Sequence, residues 1–332
     1  MKMIKKIFFL IISLPFVLVT SIRNFLYDFK LFSSSEFNIP VISVGNLVLG
    51  GSGKTPTIEY LIRLLSDKYK VAVLSRGYGR KSNGFIIADS NSDPSLIGDE
   101  PMQYYRKFNN IIVCVDSNRV RAINKLINSN LNPEVILLDD AYQHRKVKPK
   151  LSILLSEYSK LYSKDYVFPL GNLRESRGSA NRADIIMVTK CDKNLNKNDK
   201  INIVKKLNLN NKQSIYFSYI EYSNMVYGEE GKKALSEFKN KNFTLVTGIA
   251  DPSNMVNYLK NSGYNFNHIS FNDHYNYLES DIVALNKNEL IITTEKDYVK
   301  LCNRIQTQIF YLPIEFVVDN MGKFNNEILN SI

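Results

Sequence analysis

The segment Val41-Ile42-Ser43-Val44-Gly45-Asn46-Leu47-Val48-Leu49-Gly50-Gly51-Ser52-Gly53-Lys54-Thr55-Pro56 runs from a short apolar stretch into clustered glycines and a Lys-Thr pair. Residues 41–44 have the length and character of a buried strand. Glycines let successive backbone N–H groups turn inward around phosphate oxygens. A helix opening at Lys54 adds its N-terminal dipole. In such a loop Gly50, Gly51, Ser52, Gly53, Lys54 and Thr55 cradle a triphosphate. Lys54 reaches the β- and γ-phosphates and serves the transfer itself, and the Thr55 hydroxyl holds Mg²⁺. The strict spacing asks for glycine at 48, where Val48 stands between Gly45 and Gly50.

A phosphate loop needs an acidic partner at the end of a neighbouring strand, and Val135-Ile-Leu-Leu-Asp139-Asp140 supplies one. In α/β sheets, ligands sit at the carboxyl ends of strands. Further apolar runs at 71–74, 111–115, 153–155, 185–188, 214–217, 244–246, 290–292 and 309–312 have strand length. Helical stretches at 55–66 and 118–128 complete βαβ units. The reading is an α/β fold, a P-loop NTPase-like and mostly parallel sheet with a second, smaller α/β lobe. The polar segment 191–212 marks the boundary. This gives an N-terminal segment 1–35, a kinase-type domain 36–212 and a C-terminal lobe 213–332 closing a cleft. The polar stretch 228–242 reads as a surface excursion.

The chain has 332 residues and a net charge of +11. Length alone suggests about two domains, and the apolar fraction of 44% excludes wholesale disorder. The positive balance suits polyanionic surroundings, such as nucleotide phosphates or an anionic membrane face. No zinc pattern, aromatic ribonucleoprotein motif or basic helix points to nucleic acid. Cys114, Cys191 and Cys302 are too few and too far apart for a disulfide framework or a CxxC metal site. The uncharged run of sixteen residues from Ile7 to Ile22 would reach about 24 Å as a helix, short of the roughly 30 Å hydrocarbon core. Pro15 weakens a straight span, and no small-residue cleavage site follows. Residues 4–32 therefore read as a helix lying in a membrane face, flanked by basic residues. A cleaved signal, a true span and a buried core helix are the alternatives.

Several further motifs follow in order: Leu74-Ser-Arg76-Gly77-Tyr78-Gly79-Arg80, Gly98-Asp99-Glu100-Pro101, Asp139-Asp140-Ala-Tyr-Gln143-His144, Pro169-Leu-Gly171-Asn172-Leu-Arg174-Glu175, Phe271-Asn-Asp273-His274-Tyr275 and Thr294-Glu-Lys-Asp297. With the phosphate loop, this series resembles the tetraacyldisaccharide 4′-kinases of lipid A biosynthesis, from the N-terminal helix to about residue 301. Val48 is shared with that family, whereas Ala141-Tyr142 and Leu170-Gly171-Asn172 depart from its commoner residues. The resemblance implies an ATP- and Mg²⁺-dependent transfer to the 4′-hydroxyl of a tetraacylated glucosamine disaccharide 1-phosphate. The setting it implies is the cytoplasmic face of the bacterial inner membrane, and the expected state is a monomer. It assigns Lys54, Thr55, Asp139 and Asp140 to the ATP–Mg²⁺ side, Glu100 and Glu175 to the metal or the acceptor, and Asp99 with His274 to a base dyad.

Chemistry supports the dyad, because a sugar hydroxyl gives up its proton only to a positioned base. From the residues alone, Asp99 equally suits a helix start before Glu100-Pro101, and His274 a turn. Arg76, Arg119 and Arg174 are read as neutralising phosphates of ATP or lipid; Arg80 and Arg177 fit that role or a solvated one. His144 touches the sugar or caps a loop. Tyr78 stacks on substrate or is a loop aromatic.

Two other classes compete. Thr189-Lys190-Cys191-Asp192 after an apolar strand is similar to the guanine-reading element of regulatory or metallochaperone GTPases, and Gln143 to their water-positioning glutamine. A non-catalytic membrane-surface binder would use the positive charge alone. Guanine preference, and phosphoryl transfer dependent on Lys54, discriminate these from the kinase.

Overall fold

The structure, a computed structural model, describes residues 2–229 and 231–332, with side chains from Phe8 onward. Helix α1 (Lys2–Asp28) opens the chain. It ends before the expected Phe32 because Lys30 adopts a left-handed backbone, φ 58°. The side chains of the flanking Lys2, Lys5 and Lys6 lie outside the described residues.

Ten apolar runs read from the sequence all form strands. The first sheet collects β1 (Val41–Asn46), β2 (Val71–Ser75), β3 (Ile86–Ile87), β4 (Ile112–Val115), β5 (Val135–Asp139), β6 (Leu151–Glu157), β7 (Ile185–Thr189) and β8 (Ser214–Tyr222). A second sheet is built from β9 (Met225–Gly228), β10 (Gly231–Ala234), β11 (Phe243–Thr247), β12 (Phe266–Ser270), β13 (Leu290–Thr293) and β14 (Gln308–Tyr311). The last strand, β15 (Ile314–Val318), returns to the first sheet, whose order is β15-β8-β7-β6-β1-β5-β2-β4-β3. Only its two edge pairings, β3 with β4 and β8 with β15, are antiparallel.

Every residue of β1, β2 and β5 is buried, as expected for parallel strands covered on both faces. Helices α2 (Lys54–Leu65), α3 (Pro94–Ile97), α4 (Asp99–Lys107), α5 (Arg119–Ile127) and α6 (Lys197–Leu207) belong to this lobe. The second lobe carries α7 (Ser253–Asn261), α8 (Glu279–Leu285) and α9 (Glu295–Leu301), and α10 (Met321–Leu329) ends the chain. One face of the first sheet packs Ile42, Val44, Val73 and Leu137 against Ile58 and Leu61 of α2 and Phe324 of α10. The opposite face packs Ala72, Leu74 and Leu138 against Ala122, Ile123 and Leu126 of α5.

The expected boundary between 212 and 213 is corrected by this topology. β8 extends the first sheet beside β7, and β15 comes back to pair with β8. The second sheet is thus an insertion between Tyr222 and Ile314. The polar segment 191–212 is no linker: it contains α6, which covers the first lobe through Ile203 and Leu207. The excursion at 228–242 includes edge strand β10 and the buried Leu235 and Phe238.

Register places the site. Val44 lies opposite Asp139, so the glycine loop and the Asp139–Asp140 pair leave the sheet at the same carboxyl edge. α4 packs directly on α9 of the inserted lobe, which brings a second set of groups to that edge.

Candidate active site

The loop after β1 is anchored before it curls. Asn46 Nδ2 donates to the Val48 carbonyl at 2.7 Å, and Val48 bridges antiparallel to Leu173. The Leu49 N–H donates to the Asn172 carbonyl at 2.8 Å. Position 48 therefore pairs like a strand, and valine suits it; the phosphate-type turn begins only at Gly50, φ 109°. Gly53 opens α2 at φ 85°, a left-handed conformation that strains any side chain. From the end of β7, the Thr189 hydroxyl donates to the Ser52 carbonyl at 2.8 Å and clamps the loop.

Lys54 Nζ lies 3.7 Å from Asp140 Oδ1. Arg174 Nη1 reaches both oxygens of Asp140, at 2.9 and 3.0 Å. Burial works to raise the Asp140 carboxyl, but Lys54 and Arg174 outweigh it and hold the group below the usual carboxylate range. Asp139 has the opposite fate. Burial, with the negative neighbours Asp140 and Glu100, pushes it up to about 7. Its Oδ2 accepts from the Tyr104 hydroxyl at 3.3 Å, while Oδ1 is buried without a protein partner. The Thr55 side chain also acts on the Tyr104 hydroxyl, so Thr55 and Asp139 converge on one tyrosine.

That unpartnered oxygen beside a hydroxyl fits a hard, oxygen-seeking cation. Among the described residues, no group of three or more His, Cys, Asp or Glu is arranged to hold a metal alone. With so few protein donors, the residues present fit Mg²⁺ held together with a bound nucleotide rather than by the protein alone. Of the four residues expected on the metal, Thr55 and Asp139 have capacity to spare. Asp140 is engaged by Arg174 and Lys54, and Glu100 faces Lys296 at 3.3 Å.

Asp99 and His274 do meet, across the two lobes. His274 Nδ1 is 3.2 Å from Asp99 Oδ2. The same oxygen receives Lys300 Nζ at 2.7 Å. Burial opposes ionisation of Asp99, yet the His274 and Lys300 contacts prevail and lower its pKa. Lys296 Nζ lies 3.0 Å from His274 Nε2. A lysine ammonium has no lone pair to offer, so Nε2 accepts and Nδ1 carries the hydrogen given to Asp99. His274 itself sits at φ 56°, and the edge of Tyr78, largely exposed, packs on its ring at 5.1 Å.

Other expected contacts are placed less openly. Arg119, expected at a phosphate, is 2% exposed and donates to the carbonyls of Asp116 and Asp139, bracing the end of β5. Burial lowers its pKa to about 10. His144 is lowered to about 4 by burial and by the charges of Arg119 and Arg76, so a neutral imidazole sits beside the positive pair Arg76 and Arg119, near Asp140. Glu175 is fully buried, and its carboxylate takes Asn24 of α1 at 2.7 Å, Arg182 at 2.9 Å and Gln143 at 3.1 Å. Expected at metal or acceptor, Glu175 is here an internal hub tying α1 to the loop. Gln143 extends that hub to the Asn46 carbonyl at 2.9 Å.

A profile of the family described as tetraacyldisaccharide-1-P 4′-kinase matches residues 5–332. The chain belongs to that family. The tetraacyldisaccharide 4′-kinase of Flavobacterium johnsoniae is 48% identical, over 100% of this chain and 98% of that one. Its counterpart in Flavobacterium psychrophilum is 46% identical, over 95% and 93%. A crystal structure of the Aquifex aeolicus LpxK, described as an "apo" form in complex with ATP, superimposes with a TM-score of 0.79 at 29% identity, covering 97% of this chain and 98% of that chain. Family membership sets aside the GTPase reading. Thr189, the first residue of its base-reading element, serves here as the loop clamp, and Lys190 pairs with Glu157 at 3.1 Å.

Within this kinase family site, the sequence reading missed Tyr104, Lys300, Asn24 and Arg182, and gave Lys296, inside the Thr294–Asp297 motif, no role of its own. Two of the missed residues carried a further signal. Tyr104 follows Glu100 by four residues, and Lys300 follows Lys296 by four, each pair sharing a helix face.

Proposed function

We propose that this chain is an ATP-dependent kinase that phosphorylates the 4′-hydroxyl of a tetraacylated glucosamine disaccharide 1-phosphate in lipid A synthesis. The observation that carries the reading is α4. Its first turn bears Asp99, in contact with His274, and its second bears Tyr104, in contact with Asp139 and Thr55. One short helix thus joins a base to a phosphate loop.

Backbone N–H groups of 50–55 and the Lys54 ammonium cradle the triphosphate. Thr55 and Asp139 would hold Mg²⁺, which would supply neutralisation of the phosphate charge. Arg174, held by Asp140, and the exposed Arg76 present positive charge to phosphate groups. The 4′-oxygen forms a bond to the γ-phosphorus in line, the bond to the β,γ-bridging oxygen breaks, and ADP departs. Asp99 takes the hydroxyl proton, and His274 holds the carboxylate in place. Positioning and charge neutralisation supply most of the acceleration.

The exposed apolar face of α1, including Phe8, Ile11, Leu18 and Val19, lies on the cytoplasmic leaflet, where ATP is available and acyl chains can remain in lipid. The helix has the length and composition of a candidate span, with little of it buried. Its last turns dock on the protein through Asn24, which keeps the headgroup end of the substrate near the cleft.

The test is incubation of purified protein with ATP–Mg²⁺ and a detergent-dispersed tetraacyldisaccharide 1-phosphate, followed by phosphorus–proton correlation NMR. A new phosphomonoester at the 4′-position is the expected product. Nucleotide hydrolysis without acceptor phosphorylation would overturn the reading.

A further inference from the structure

The two oxygens of Asp99 are not equivalent. Oδ2 receives both His274 Nδ1, at 3.2 Å, and Lys300 Nζ, at 2.7 Å. No described residue donates to Oδ1. The carboxylate is set at the first residue of α4, where Gly98, φ 95°, turns the chain into the helix. Its own element thus offers little to fix the side chain. Both partners come from the inserted lobe: His274 from the loop before α8, and Lys300 from α9.

We infer that Lys300 is a positioning residue for phosphoryl transfer, saturating Oδ2 of Asp99 and reserving Oδ1 for the acceptor hydroxyl. The inference rests on the reading of Asp99 as the base. Lys300 is well suited to the task. Its side chain is 9% exposed, and its ammonium also donates to the Tyr275 carbonyl at 3.1 Å. That second bond ties the amine to the segment carrying His274, so imidazole and amine approach Asp99 as one unit. Four residues earlier, Lys296 occupies His274 Nε2 and Glu100 Oε1. The two lysines therefore divide the work: Lys296 sets the imidazole tautomer, and Lys300 sets the carboxylate rotamer. Because α9 belongs to the inserted lobe, the base is assembled from both lobes.

The test compares wild type, Lys300→Met, Lys300→Arg and Asp99→Ala, alone and with Lys300→Met, in steady-state kinetics at saturating acceptor. Lys300→Met keeps the stem and removes the charge. It should lower kcat by about 10- to 100-fold, within the roughly 10²–10⁴ a positioned base contributes, with KM for ATP unchanged. Lys300→Arg should recover most of kcat. In the Asp99→Ala background, Lys300→Met should change kcat by less than about threefold, because the two groups act as a unit. Wild-type turnover establishes the kinase reading independently of these variants. If wild type turns over and Lys300→Met retains full kcat, or costs as much without Asp99 as with it, the positioning role is overturned. Thermal melts identify a folding defect, and Lys300→Arg, which keeps charge and length, then decides through the same kcat comparison.

Discussion

Asp139 and Asp140 are neighbours in the chain with opposite proton affinities. Asp140 touches two cations and stays ionised, whereas Asp139 is buried with an unpartnered oxygen and moves up to about 7. The pair was legible in the sequence; which member keeps a free oxygen was not, because that depends on Arg174 and Tyr104 arriving from distant segments. His144 shows the same dependence on surroundings. Its pKa falls from an ordinary 6.5 to about 4 through burial and the nearby arginines. The unfolded chain therefore takes up this proton first as pH falls, and the stability this group leaves intact above pH 6.5 is lost progressively toward pH 4. His144→Gln removes that term. Denaturation midpoints measured from pH 7 to 4.5 should fall less steeply in the variant than in wild type.

At the scale of elements, α1 is held by a few polar contacts, those of the Asn24 side chain buried, rather than by its apolar face. Asn24 Nδ2 donates to Glu175 at 2.7 Å and to Ser179 Oγ at 3.2 Å, and Arg145 donates to the Asn24 carbonyl and to Asp28. Asn24→Ala leaves a fully buried carboxylate short of a donor. It should cost about 1–3 kcal/mol, seen as a lower urea midpoint, while binding to anionic vesicles persists because the apolar face is unchanged. The helix was readable from its uncharged run; its docking was not, since a lone Asn near a helix end carries no pattern. The central parallel strands were readable because burial on both faces demands continuous apolar runs. β10, β12 and β15 escaped notice for the converse reason. They lie at sheet edges and mix polar with apolar residues, as in the largely exposed Phe266–Ser270.

For the whole molecule, the decisive feature is how the inserted lobe meets the first. Ion pairs line the α4–α9 contact from end to end. Asp99 faces Lys300, Glu100 faces Lys296, and Lys107 bridges Glu59 and Glu295 at 2.7 and 2.6 Å. Burial, with Glu59 close by, pushes Glu295 up to about 7. The sequence announced both halves of the cleft as separate motifs, yet gave no sign that β8 and β15 would hinge the second lobe on the first sheet. That hinge is what turns a distant histidine into a partner of Asp99. The most direct check is Asp99→Ala, with turnover on the tetraacyldisaccharide 1-phosphate and ATP affinity measured on the same preparation. A loss of about 10²–10⁴ in kcat with ATP affinity retained is the predicted result; undiminished turnover would contradict the account.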